Sequence, residues 1–206
     1  MLITHLLITF ITVPLIDNKL KSFQVRGKLP QWAIWLIAVA LFTLAWTGVG
    51  IWSRHTALTD LAKHTDSWEE GGVLFQPTDY SCVPASVAML LRDFGIDITL
   101  LESATYCGTD TFGTSGSGIK RTGRRFGFDV TRVKMEFDEF LQDGRPGIIL
   151  FRKGGTPHAA YIKPLVDEGL IEMKDPVQGL LWFEKLYADE YFGSERWEIY
   201  LFDKPD

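Results

Sequence analysis

The sequence predicts an α+β domain, helices first and an antiparallel sheet afterwards, preceded by transmembrane helices. Three observations carry this. Residues 32–52 form an apolar run without a single charge. Val87, Leu90, Leu91 and Phe94 recur with the period of a helix. Beyond Phe128, short segments rich in Ile, Val, Tyr and Phe replace that period with the signature of strands.

The apolar run would be roughly 30 Å long as a helix, enough to cross the bilayer core. Trp32, Trp35 and Trp52 lie near its ends, where aromatic rings favour the membrane interface. A core helix of that length would need some polar face, and this run has none. Residues 1–16 are also apolar, lack the basic start and small-residue cleavage site of a signal peptide, and read as a first, short membrane helix. Between the two runs lie Lys19, Lys21, Arg26 and Lys28, while the stretch just past residue 52 is less basic. The positive-inside rule therefore puts the loop in the cytoplasm and the rest of the chain outside an inner or plasma membrane.

Residues 1–52 are thus expected to be an anchor, residues 53–72 a polar connector and residues 73–206 the functional domain. The part after residue 52 carries 17 basic against 25 acidic residues, a balance that argues against nucleic acid as a partner. Two cysteines exclude a disulfide scaffold.

Within the domain, a helix is expected from about Cys82 to Phe94, with Pro84 in its first turn and Gly95 as its stop. Thr99-Leu-Leu-Glu102 has capping-box spacing and opens a second helix. A Gly/Ser/Thr loop, residues 108–118, leads into a basic helix over residues 119–126, whose Lys120, Arg121, Arg124 and Arg125 read as a solvated face. Strands are expected at 128–133, 147–152, 158–166, 170–174 and 197–202, with short helices at 138–142 and 183–191.

Candidate chemistry lies in the order Gln76, Cys82, His158, Asp175. A thiol attacks a carbonyl as the thiolate, which the positive end of a helix favours, so a cysteine at a helix start is a plausible nucleophile. His158 is the only histidine beyond the connector and could act as general acid and base. A turn at Asp167-Glu-Gly169 would pair two strands and bring Asp175 towards residues 158–161, where it could orient the imidazole. Gln76 and the Cys82 backbone N–H could donate to an oxyanion. Each residue alone is more often structural: a buried Cys, a surface His, an Asp-Pro turn. The order and spacing of the four carry the reading. No cofactor is called for. Cys82, Cys107, His158 and Asp175 lack the paired spacing of a zinc site, and Cys107 reads as an unpaired buried residue.

The pattern resembles the bacteriocin-processing, double-glycine leader peptidases, a papain-like family of cysteine peptidases found as N-terminal domains of export transporters. The family's Gln, five residues and Cys match Gln76 to Cys82. Its His at a strand start matches His158. Its Asp-Pro, trailed by a Gly and a short acidic helix, matches Asp175-Pro176, Gly179 and residues 183–191. The family's usual Asp-Cys-Gly is Ser81-Cys82-Val83 here. The resemblance implies a papain-like fold, a peptide or protein substrate cleaved after Gly-Gly, and a separate export transporter as partner, alongside the lipid bilayer met by the anchor. Two other functions fit the same residues: acyl transfer of the transglutaminase kind, and a non-catalytic peptide-binding domain.

Overall fold

The computed structural model describes residues 30–193 and 196–204. The expected helix over residues 1–16 lies outside them. The chain divides into two units, residues 1–47 and 48–206. Helix α1, Gln31–Leu61, contains the uncharged run; Leu36, Phe42 and Leu44 are exposed, and the helix is long and apolar enough to cross a membrane by length and composition.

The second unit begins within this helix, which runs on into the segment expected as a connector. Residues 53–61 are helical, and Ser53, Ala57 and Leu61 are buried. These three recur every four residues, so they share one face, and Leu61 enters the main core. A two-stranded ribbon follows, β1 (Trp68–Glu69) against β2 (Val73–Leu74).

Helix α2, Cys82–Asp93, is buried along almost its whole length from Val83 to Leu91. Its apolar stripe packs against α3 (Leu100–Cys107), whose capping box at Thr99 and Glu102 has both hydrogen bonds. Helix α4, Gly116–Arg125, starts three residues before the expected point because Ser115 caps it, accepting from the Gly118 N–H at 3.3 Å. A glycine-rich first turn reads as loop in sequence, yet here it permits close packing. A Cβ at Gly118 would stand 2.1 Å from the Cys107 carbonyl oxygen. Nor is the basic face wholly solvated. Arg121 donates to the Tyr106 and Cys107 carbonyls at the end of α3, and Arg125 lies over the Tyr106 ring.

The sheet is antiparallel throughout, in the order β3-β8-β4-β5-β6-β7. Its strands are β3 (Asp129–Met135), β4 (Gly147–Lys153), β5 (Thr156–Leu165), β6 (Leu170–Asp175), β7 (Gly179–Phe183) and β8 (Trp197–Asp203). Successive strand residues point to opposite faces. Ile148, Ala159, Tyr161, Tyr200 and Phe202 therefore join the core beneath α2–α4. Ile149, Ala160, Ile162, Ile199 and Leu201 join a second core with α5 (Phe137–Asp143) and α6 (Lys185–Phe192). Strand β7 is not legible in the sequence, because Gly179–Phe183 is only five residues long and runs directly into the α6 pattern.

Candidate active site

Two turns and one helix end assemble the site. The Gly154-Gly155 turn joins β4 to β5, and both glycines have positive φ (58° and 85°), the geometry of a two-residue hairpin that matches strand twist. It sets His158 opposite Phe151, and the two rings meet edge to face. His158 is the third residue of β5 rather than its first, and its side chain is only 9 % exposed, more enclosed than a strand-start position implies. The second turn, a 3₁₀ turn over Val166–Glu168 closed by Gly169, pairs Tyr161 with Lys174. Asp175 is thereby carried to the His158 end of β5. His158 Nε2 and Asp175 Oδ1 lie 3.0 Å apart.

Cys82 is the first residue of α2 and lines the same cleft as His158. Ser81 precedes the helix but does not cap it: its hydroxyl turns back to the Thr78 carbonyl at 2.8 Å. Ser86, buried one turn after Cys82, donates to the Cys82 carbonyl (2.8 Å) and contacts the Ala159 carbonyl (3.2 Å). That hydroxyl ties the cysteine's helix to the histidine's strand. Its sequence signal is faint, a small polar residue four positions after Cys82.

Asp175 is fully buried. Its Oδ1 also accepts from the Val177 (2.7 Å) and Gln178 (3.2 Å) backbone N–H groups. Its Oδ2 has no hydrogen-bond partner among the described residues but lies 3.6 Å from Lys153 Nζ. Lys153 carries no signal of this role in the sequence, because a lysine beside Gly-Gly reads as an ordinary hairpin end.

Charge follows from these contacts. Burial acts to lower the His158 pKa, but the hydrogen bond to Asp175 and the contact with Cys82 outweigh it, and the imidazole is pushed up to about 9. Burial acts to raise Asp175, and His158, the Val177 amide and Lys153 instead hold its carboxyl below the ordinary value. Cys107 contrasts with Cys82. It is enclosed beside Thr122, and burial pushes its thiol up to about 11, an inert environment.

Gln76 stands apart from the other three. Its backbone N–H donates to the Pro176 carbonyl at 2.9 Å, so the segment before Cys82 is fastened to the turn after Asp175. Its side-chain Nε2 donates to the Thr78 carbonyl at 2.9 Å, and Oε1 is buried with no hydrogen-bond partner among the described residues. The structure brings Cys82, His158 and Asp175 together and leaves the Gln76 amide turned to its own loop.

A cleft of about 320 Å³ opens over Cys82 and His158. Tyr80, Thr111, Phe112, Leu150 and Phe151 are among its walls. The glycine-rich loop supplies a tight turn at the rim: Asp110 pairs with Gly113, and Phe112 is 86 % exposed. Among the described residues no group of three His, Cys, Asp or Glu is arranged to hold a metal ion.

Helices packed on an antiparallel sheet, with a cysteine at a helix start facing a histidine at a strand end, define a papain-like α+β peptidase fold. Residues 72–193 match the Peptidase C39 family, and the chain belongs to it. An uncharacterized protein of Methanothermobacter thermautotrophicus is 36% identical over 130 residues, 60% of this chain and 88% of that one. The lactococcin-G-processing and transport ATP-binding protein LagD of Lactococcus lactis is 28% identical over 137 residues, 65% of this chain but only 19% of LagD. Two crystal structures share the fold. The peptidase domain of Streptococcus ComA, a bi-functional ABC transporter, aligns with a TM-score of 0.53 at 22% identity, covering 64% of this chain and 96% of that one. A double glycine motif protease from an AMS/PCAT transporter, in complex with the leader peptide, gives 0.52 at 18%, covering 67% and 99%.

Proposed function

We propose that this protein is a membrane-anchored cysteine endopeptidase that cleaves a peptide or leader sequence after a Gly-Gly junction. The observation that carries the reading is one cleft lined by Cys82, at a helix start, and by His158, whose Nε2 lies 3.0 Å from the buried Asp175. Family membership and the double-glycine leader proteases among the structural neighbours support the substrate class.

Asp175 engages Nε2, which leaves Nδ1 of His158 for the Cys82 sulfur. The thiolate attacks the scissile carbonyl carbon and forms the carbon–sulfur bond of a tetrahedral intermediate. The Cys82 backbone N–H, at a helix end without a side-chain cap, donates to the oxyanion, and Gln76 joins it once its amide swings from Thr78. The imidazolium gives its Nδ1 proton to the leaving amine as the carbon–nitrogen bond breaks. His158 then takes a proton from water, whose oxygen attacks the thioester. Collapse breaks the carbon–sulfur bond, restores the Cys82 thiolate beside the imidazolium and releases the acid, which loses its proton to solvent and leaves as the carboxylate.

The domain responsible spans residues 73–206, with residues 31–52 crossing the bilayer and the domain on its outer face. A separate export transporter would present the substrate. The test is incubation of the full chain in detergent with Gly-Gly peptides, with and without iodoacetamide. Cleavage that stops on alkylation and in Cys82→Ala is expected; cleavage that survives Cys82→Ala removes the nucleophile from the scheme.

A further inference from the structure

Helix α1 does more than precede the domain. Its last turns contact both walls of the cleft. On one side, Tyr80, which lines the cleft two residues before Cys82, donates its hydroxyl to Asp60 Oδ2 at 2.8 Å. On the other, Thr111, which lines the opposite rim beside the exposed Phe112, meets Ser53 twice. Their hydroxyls lie 2.7 Å apart, and the Thr111 N–H donates to Ser53 Oγ at 3.3 Å. Ser53 is 2 % exposed and Ala57, between the two contacts, is fully buried. Arg54 adds a bond to the Thr105 carbonyl of α3 at 2.9 Å.

We infer that residues 53–61 are a substrate-positioning element of this enzyme, with Asp60 and Ser53 fixing the two cleft walls through Tyr80 and Thr111. Both walls belong to loops, and a loop without such a fastening samples many conformations before it binds. One helix holding both at once sets the distance between them. The effect falls on peptide binding rather than on the Cys82–His158 pair, which is held separately by Ser86. Tyr80 also holds the Asp60 carboxyl below its ordinary value, as expected for an acceptor with a committed donor. The inference rests on the peptidase reading above, since it concerns the walls of that cleft.

The experiment is a double-mutant cycle in the full chain, using Tyr80→Phe, Asp60→Ala and both together, with Asp60→Asn as the variant that keeps an acceptor. Cleavage of a Gly-Gly peptide and the rate of Cys82 alkylation are read side by side. Each single change should raise KM about tenfold, the scale of one hydrogen bond to a charged group. The double variant should be no worse than either single, Asp60→Asn should recover most of the loss, and alkylation should not move. Ser53→Ala should raise KM in the same way from the other wall. Variants with KM within twofold of the wild type, additive losses, or a fall in alkylation parallel to cleavage would each overturn the inference. A wild-type chain that cleaves nothing would instead sink the peptidase reading itself.

Discussion

Asp175→Asn isolates charge from geometry. The amide oxygen of Asn can still accept from His158 Nε2 and the Val177 N–H, so the imidazole keeps its tautomer while the negative charge disappears. In the wild type that charge helps to lift His158 from 6.5 to about 9 against the opposing effect of burial. Without it the ring should titrate about two and a half units lower, near its ordinary value of 6.5. At pH 8 a group titrating at about 9 is roughly 90% protonated, and one at 6.5 about 3%, so kcat/KM at that pH should fall about thirtyfold. Near pH 6 the two enzymes should differ far less. The assay is the pH profile of kcat/KM for a Gly-Gly peptide, whose basic limb reports the free enzyme's essential acid. An NMR titration of the His158 ring provides a check independent of substrate. A basic limb that stays within about half a unit of wild type would refute the coupling. Stability has a matching signature. A raised His pKa stabilises the fold fully below about 6.5, and that stability is lost as pH rises through about 9, so Asp175→Asn should flatten this part of the wild-type curve.

Removing the cation beside Asp175 acts in the opposite sense: Lys153→Met leaves the carboxylate's field to His158 alone, and the basic limb should move up by about half a unit. A downward shift would mean that Lys153 supports the site through packing rather than charge. Gln76→Ala should lower kcat by about a hundredfold or more with little change in KM, the usual cost of one oxyanion donor; an unchanged kcat leaves Gln76 a purely structural residue. Leu90→Ala in the buried centre of α2 should cost about 3 kcal/mol, seen as a Tm lower by roughly 10 °C, and a loss below about 1 kcal/mol would contradict the tight core there.

Much of the fold was readable because its signals are local. The α2 stripe, the Thr99 capping box and the Gly154-Gly155 hairpin each fix an element within a dozen residues, and the observed elements start and stop close to the expected positions. His158 and Asp175 could be paired on paper because one short turn joins their strands. What stayed hidden depends on contacts between distant segments. Residues 53–61 look polar, and only packing reveals that Ser53, Ala57 and Leu61 face inward while Arg54 and Asp60 bond to the domain. The partnership of Lys153 with Asp175 reaches from β4 across β5 to β6, so no spacing rule announces it. The Gln76 amide direction depends on the Thr78 carbonyl, which composition cannot specify.

The bond from the Gln76 N–H to the Pro176 carbonyl closes a loop from residue 76 to residue 176 at the back of the site, and the bond from the Ser86 hydroxyl to the Ala159 carbonyl ties it a second time. Prying the sulfur from the imidazole would therefore rupture both fastenings together. Slow hydrogen exchange at the Gln76 amide, comparable to that of the central strands, is the expected mark of such a closed frame. Whatever adaptation a bulky peptide demands must then come from the rim, where Phe112 and its hairpin have room to yield while the reacting groups hold still.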